Sequence, residues 1–109
     1  SYSLDFLDQA PVMIAVVGDP KKSGVDLFQE EGKVGYQLAC AAAIQNMLLA
    51  SLDLGLGSLW IGDIYYAYEA LRDWLGTESE LIAAVAFGYA DESPPARPRR
   101  SADQVTRWM

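Results

Sequence analysis

Gly55-Leu56-Gly57-Ser58-Leu59-Trp60-Ile61-Gly62 is the stretch whose reading decides the fold. Gly55 stands where a long apolar helix needs a left-handed residue to stop. Ser58 to Ile61 then has the composition of a short extended segment. By itself this is a helix cap followed by a core strand. The glycines allow a second use: without a Cβ, their main-chain N–H groups can be approached closely by a flat ligand. Trp60 and Ile61 could supply apolar surface beside such a ligand. A phosphate loop is excluded, because neither the spaced-glycine pattern nor a following Lys-Ser/Thr is present.

Upstream, Tyr36 to Leu54 is the strongest helical segment. Ala39, Cys40, Ala43, Ile44, Met47 and Leu48 recur at three- and four-residue spacing. Both faces are nearly apolar, which predicts a central helix. Gln45 and Asn46 interrupt it, and as buried amides they would need a backbone or subunit partner. Further upstream, Val12 to Val17 is a β-branched-rich run closed by Gly18-Asp19-Pro20, expected as a strand buried on both faces. Lys21 to Lys33 is polar and expected as a loop or frayed helix.

Downstream, Tyr68 to Leu75 predicts a helix ended by Gly76, and Leu81 to Tyr89 a third strand. Ser93-Pro94-Pro95-Ala96-Arg97-Pro98 has no regular fit and should run extended. Ser101 and Gln104 form a capping-box pattern for a short last helix reaching Trp108. Strands alternating with helices indicate an α/β or α+β sheet. The 109 residues suit one domain, with 1–92 as its core and 93–109 as an extended tail.

Composition narrows the function. The net charge of −7 argues against nucleic-acid binding. Yet Arg97, Arg99, Arg100 and Arg107 are four of the 8 Lys and Arg, and only Asp103 opposes them locally. Arg97 and Arg99 flank Pro98 in an extended stretch, so both face one side and could grip a phosphate; a solvated basic tail is the plainer reading. Asp63, Glu69 and Asp73 show no catalytic spacing. Histidine is absent, which removes His triads and His metal sites and leaves demanding chemistry to a cofactor. Cys40 is the only cysteine, so no internal disulfide forms and a reducing, cytoplasmic setting is expected. No secretory signal or membrane span is legible. The chain starts at Ser1, through processing or loss of upstream sequence.

In order, Ala10-Pro11, Gln45-Asn46-Met47-Leu48-Leu49-Ala50, the Gly55–Gly62 stretch, Gly88-Tyr89-Ala90-Asp91-Glu92, Arg97-Pro98-Arg99-Arg100 and Val105-Thr106-Arg107-Trp108 resemble the C-terminal half of nitroreductase-family flavoenzymes. The resemblance covers nearly the whole chain. It implies an α+β fold, an antiparallel or mixed sheet flanked by helices, with the family's N-terminal part absent. It implies a homodimer through the 36–54 helix and FMN at the dimer interface. The backbone at Gly62 and Asp63 would face the flavin ring, Trp60 and Ile61 would border it, and Arg97 and Arg99 would hold the phosphate. The implied activity is ping-pong hydride transfer from NAD(P)H through flavin N5 to a small-molecule acceptor of nitroaromatic or quinone type.

Two departures from the family pattern stand out. The N-terminal contacts to phosphate and ring have no replacement in this chain. Ala39 also occupies a position where the family often has Asp. The alternatives are therefore a non-catalytic dimerisation or flavin-binding remnant, or specialised flavin chemistry such as reductive dehalogenation or flavin destruction.

Overall fold

A computed structural model describes residues 8–19 and 29–109, with only the backbone of 29–34. The elements are β1 (Val12–Gly18), α1 (Gln29–Asp53), β2 (Gly57–Ile61), a 3-10 helix (Asp63–Ala67), α2 (Tyr68–Leu75), β3 (Glu80–Gly88) and α3 (Ala102–Val105). Residues 21–28 of the expected polar loop lie outside the described residues.

The sheet is antiparallel, in the order β1-β3-β2. β3 is central, and all residues from Leu81 to Ala86 are buried. Its period-two alternation feeds two cores. Ile44 of α1 packs on Ile82, Ala83 and Val85 on one face, with Cys40 and Leu48 beside them. On the other face Ile61, Ile64, Leu81, Ala84 and Ala86 cluster beneath Tyr68 and Leu71. The molecule is therefore layered, with α1 on one side of the sheet and the 3-10 helix with α2 on the other. Ile44 and Val85 are fully enclosed, and burying each such side chain stabilises the fold by roughly 1.5–3 kcal/mol.

One irregularity shapes the site. Val16 pairs with Ala83 but Val17 pairs with Leu81, so Ile82 is an extra residue in β3. This bulge turns Ile82 and Ala83 to the same face of the sheet. The Ile82 carbonyl instead accepts a 2.6 Å hydrogen bond from the Tyr65 hydroxyl. Next to it, the Leu81 N–H donates to the Tyr68 hydroxyl at 3.2 Å. Two tyrosines thus serve the backbone just beyond the end of β2.

Both long elements stop as the glycines predict. Gly55 has φ 74, with Leu56 N–H bonded to Ser51 O and Gly55 N–H to Leu52 O. Gly76 has φ 66 and repeats the arrangement on Arg72 and Asp73. These are Schellman ends, in which a left-handed residue lets the last carbonyls find donors. Buried Ser51 ties α1 to β2 by a 2.9 Å contact with the Ser58 hydroxyl.

Four expectations are corrected. α1 starts at Gln29 rather than Tyr36; Gly32 and Gly35 do not end it, because extending an existing helix is far easier than starting one. β1 is an edge strand, with Val12, Met13 and Ile14 each more than 40% exposed. Gln45 and Asn46 lie exposed on the outer face of α1 rather than buried. The last helix has the expected Ser101–Gln104 capping box but ends at Val105, before Trp108.

Candidate functional site

The end of β2 forms an exposed corner. Trp60 is half-exposed, Ile61 is buried, Gly62 is exposed and Asp63 is partly shielded. Pairing of Trp60 with Val85 and of Ile61 with Ala84 fixes the strand up to that point. The chain then turns into the 3-10 helix, with Gly62 as its N-cap at φ −87 and ψ −23. A helix start leaves its first N–H groups without intrahelical acceptors, and exposed Gly62 stands at that start. Ile61 commits its side chain to the core, and only its backbone is left to border a ligand.

Gly62 is informative for what it does not do. Its φ is ordinary for any residue, and a Cβ there would meet nothing within 4 Å. Neither its conformation nor packing among the described residues requires glycine at this point. A flat group lying against the main chain from outside would require it. The corner combines one exposed aromatic wall with a Cα that carries no side chain.

The phosphate half of the expected site is placed differently. Arg97 and Arg99 lie in an irregular tail, and residues 89–109 are exposed throughout. No packing among the described residues holds them against Gly62. Trp60, Gly62 and Asp63 are brought together by the fold, whereas the arginines are not joined to them within one protomer.

Sequence reasoning missed a cavity of about 540 Å³ beside this corner. Trp60, Tyr65 and Tyr68 line one side, and Leu38 and Ala41 of α1 the other. At its rim the Gln37 side-chain amide donates to the Glu80 carboxylate at 3.3 Å. The spacing of Tyr65 and Tyr68, one helical turn apart, was a usable signal for an aromatic wall. At the same end of the sheet, beside Gly18 of β1, the Tyr36 hydroxyl oxygen is shielded from solvent and has no hydrogen-bond partner among the described residues. Burial first, then electrostatic repulsion from the neighbouring Cys40, Glu80 and Asp19, pushes its pKa up to about 12. Among the described residues there is no cluster suited to a metal ion and no helix long and apolar enough to cross a membrane.

The layered antiparallel sheet is a nitroreductase-type α+β architecture. It superimposes with a TM-score of 0.62, at 22% identity, on the 1.70 Å crystal structure of a provisionally named nitroreductase from Desulfovibrio desulfuricans in complex with FMN. That match covers 94% of this chain and 74% of the other. The chain belongs to the nitroreductase family, whose sequence profile matches residues 1–89. A protein of Archaeoglobus fulgidus provisionally named NADH dehydrogenase/NAD(P)H nitroreductase is 36% identical in a 90-residue alignment that covers 76% of this chain and 47% of that protein. The chain thus spans about half the length of the curated relative it matches.

Proposed function

We propose that this chain forms part of an FMN-dependent NAD(P)H oxidoreductase acting on small aromatic acceptors of the nitroaromatic or quinone type. The observation that carries this reading is Gly62, an exposed glycine that no packing among the described residues requires, set beside Trp60. FMN, when bound, supplies the hydride-transfer chemistry. The chain's share is to present the backbone around Gly62 and Asp63 to the ring edge. Trp60 shields one side of the ring, and Arg97 and Arg99 neutralise the phosphate. Because the arginines sit on an unpacked tail, the phosphate contact is completed by a second copy of the chain, through association along the 36–54 helix. This reading also accounts for a basic cluster in a chain of net charge −7.

The test is direct. Flavin absorbance should follow the purified chain through gel filtration, and added NADH should be consumed with a quinone or nitroaromatic. The double variant Arg97→Ala/Arg99→Ala should weaken FMN binding, each lost charge-assisted contact costing roughly 1.5–3 kcal/mol. Unchanged FMN affinity removes the arginines from the site. A colourless chain that stays inactive with added FMN leaves the second reading, a non-catalytic dimerisation remnant, which the exposed apolar face of the long helix favours.

A further inference from the structure

β2 runs out before β3 does. It pairs with β3 from Gly57 opposite Gly88 to Ile61 opposite Ala84, whereas on the other side β1 follows β3 as far as Glu80. Buried backbone beyond the end of a strand needs other partners. Here they are side chains of the segment into which β2 turns. The Tyr65 hydroxyl donates to the Ile82 carbonyl at 2.6 Å, and the Leu81 N–H donates to the Tyr68 hydroxyl at 3.2 Å.

The two tyrosines differ in one respect. Tyr68 packs against the core, but Tyr65 stays 59% exposed, so apolar burial gives little reason for a ring at this position. Its hydrogen bonds do give one. Besides the hydroxyl bond, its N–H donates to the Gly62 carbonyl at 3.4 Å, across the first turn of the 3-10 helix. That turn bond is long, whereas the phenol bond is short. Tyr65 therefore links the bulge at Ile82 to Gly62. The Gly62–Asp63 peptide is planar, so holding its oxygen also sets the direction of its N–H.

We propose that Tyr65 is the positioning residue of the Gly62 corner: anchored on the Ile82 carbonyl, it sets where the Gly62–Asp63 peptide stands relative to Trp60, and so how closely the flavin edge is met. The inference rests on the reading of that corner as part of the FMN site. Upstream, pairing of Trp60 with Val85 and of Ile61 with Ala84 fixes the approach to the corner. Downstream, buried Ile64 holds the 3-10 helix to the core, and the Tyr65 hydroxyl supplies the directional bond. Without that hydroxyl the corner relies on Ile64 and the 3.4 Å turn bond. A corner that spends part of its time out of place binds its ligand with an affinity lowered by the fraction of chains in the competent arrangement.

Tyr65→Phe keeps the ring and the N–H and removes only the hydroxyl. Ser51→Ala serves as the control for general destabilisation, since it removes the 2.7 Å bond to the Leu48 carbonyl and the 2.9 Å contact with Ser58, away from the corner. FMN is titrated into wild type and both variants while flavin fluorescence is followed. The amide N–H signals of Gly62 and Asp63 are compared by NMR in the flavin-free chains. Tyr65→Phe should weaken FMN by about threefold to fivefold, as loss of one net hydrogen bond allows, and should shift both amide signals. Ser51→Ala should leave FMN affinity and both signals at their wild-type values. Wild-type affinity in Tyr65→Phe, an equal loss in Ser51→Ala, or Gly62 and Asp63 signals that do not move would overturn the proposal. A wild-type chain that takes up no FMN removes the flavin reading instead, and the amide signals then decide by themselves whether Tyr65 holds the corner.

Discussion

At the residue scale the most informative positions are those whose identity the chain's own packing leaves unexplained. Gly62 is one. Since a Cβ would meet nothing there and φ is −87, Gly62→Ala should leave folding stability within about 0.5 kcal/mol of wild type. Flavin affinity should nevertheless fall, because the methyl group would stand between ring and backbone. Wild-type affinity in a folded Gly62→Ala chain would dissociate this residue from the site. Tyr36 is the second. Its shielded hydroxyl lacks a partner, and its pKa is raised to about 12 from an ordinary 10.0. A raised phenol pKa means that the unfolded chain loses this proton first as pH rises. The associated stability is fully present below pH 10 and is lost on the way to pH 12. Tyr36→Phe should flatten that alkaline part of the stability profile and cost nothing at neutral pH, since it removes an unsatisfied group. Denaturation midpoints measured from pH 8 to pH 12 would show both effects; an unchanged alkaline slope would mean that Tyr36 does not carry it. The sequence showed the aromatic at 36 but gave no hint of this environment, which arises only when α1 lies against β3.

At the scale of elements, the legible features were those with local causes. Gly55 and Gly76 stop helices because each adopts a left-handed φ, and both were predictable from position alone. Tyr68–Leu75 emerged with the expected bounds, and Ser101 and Gln104 made the expected capping box. What escaped was decided at long range. Asp63–Ala67 is a 3-10 helix, too short for a periodicity to show. β1 and β3 read alike as apolar runs, yet β3 is central and β1 is an edge; strand order is not encoded in hydrophobicity. The bulge at Ile82 was equally invisible, because it depends on the register with β1. Its support is testable. Tyr65→Phe leaves the Ile82 carbonyl without the 2.6 Å bond it now accepts, and should destabilise the chain by about 1 kcal/mol. The denaturant slope should stay constant, since little surface exposure changes. Full stability in the variant would show that the bulge is held by β-pairing alone.

At the scale of the whole molecule, the exposed surface is unlike that of a self-sufficient monomer. Leu38, Leu49 and Leu52 of α1 are 65%, 55% and 74% exposed, and Trp108 at the tail is 87% exposed. The radius of gyration is 16.8 Å, against about 13 Å for a compact chain of this size. A helix apolar on all sides must be covered on all sides to be stable in water, and the sheet covers only one face of α1. The sequence displayed this helix plainly; what it could not show is that Leu38, Leu49 and Leu52 stay bare among the described residues. A second copy meeting α1 along Leu49 and Leu52 would cover that face, with roughly 1.5–3 kcal/mol available from each leucine fully buried. Two observables follow. Gel filtration with light scattering should give a dimer, and the thermal midpoint should rise with protein concentration, because association stabilises only the folded form. Leu49→Glu/Leu52→Glu should yield a monomer whose midpoint no longer depends on concentration. Both substitutions lie outside the two cores, so the variant should keep its sheet. A wild-type chain that stays monomeric as concentration rises, with a constant midpoint, would show instead that the bare face belongs to other parts of the family fold, of which this chain spans about half the length of its curated relative.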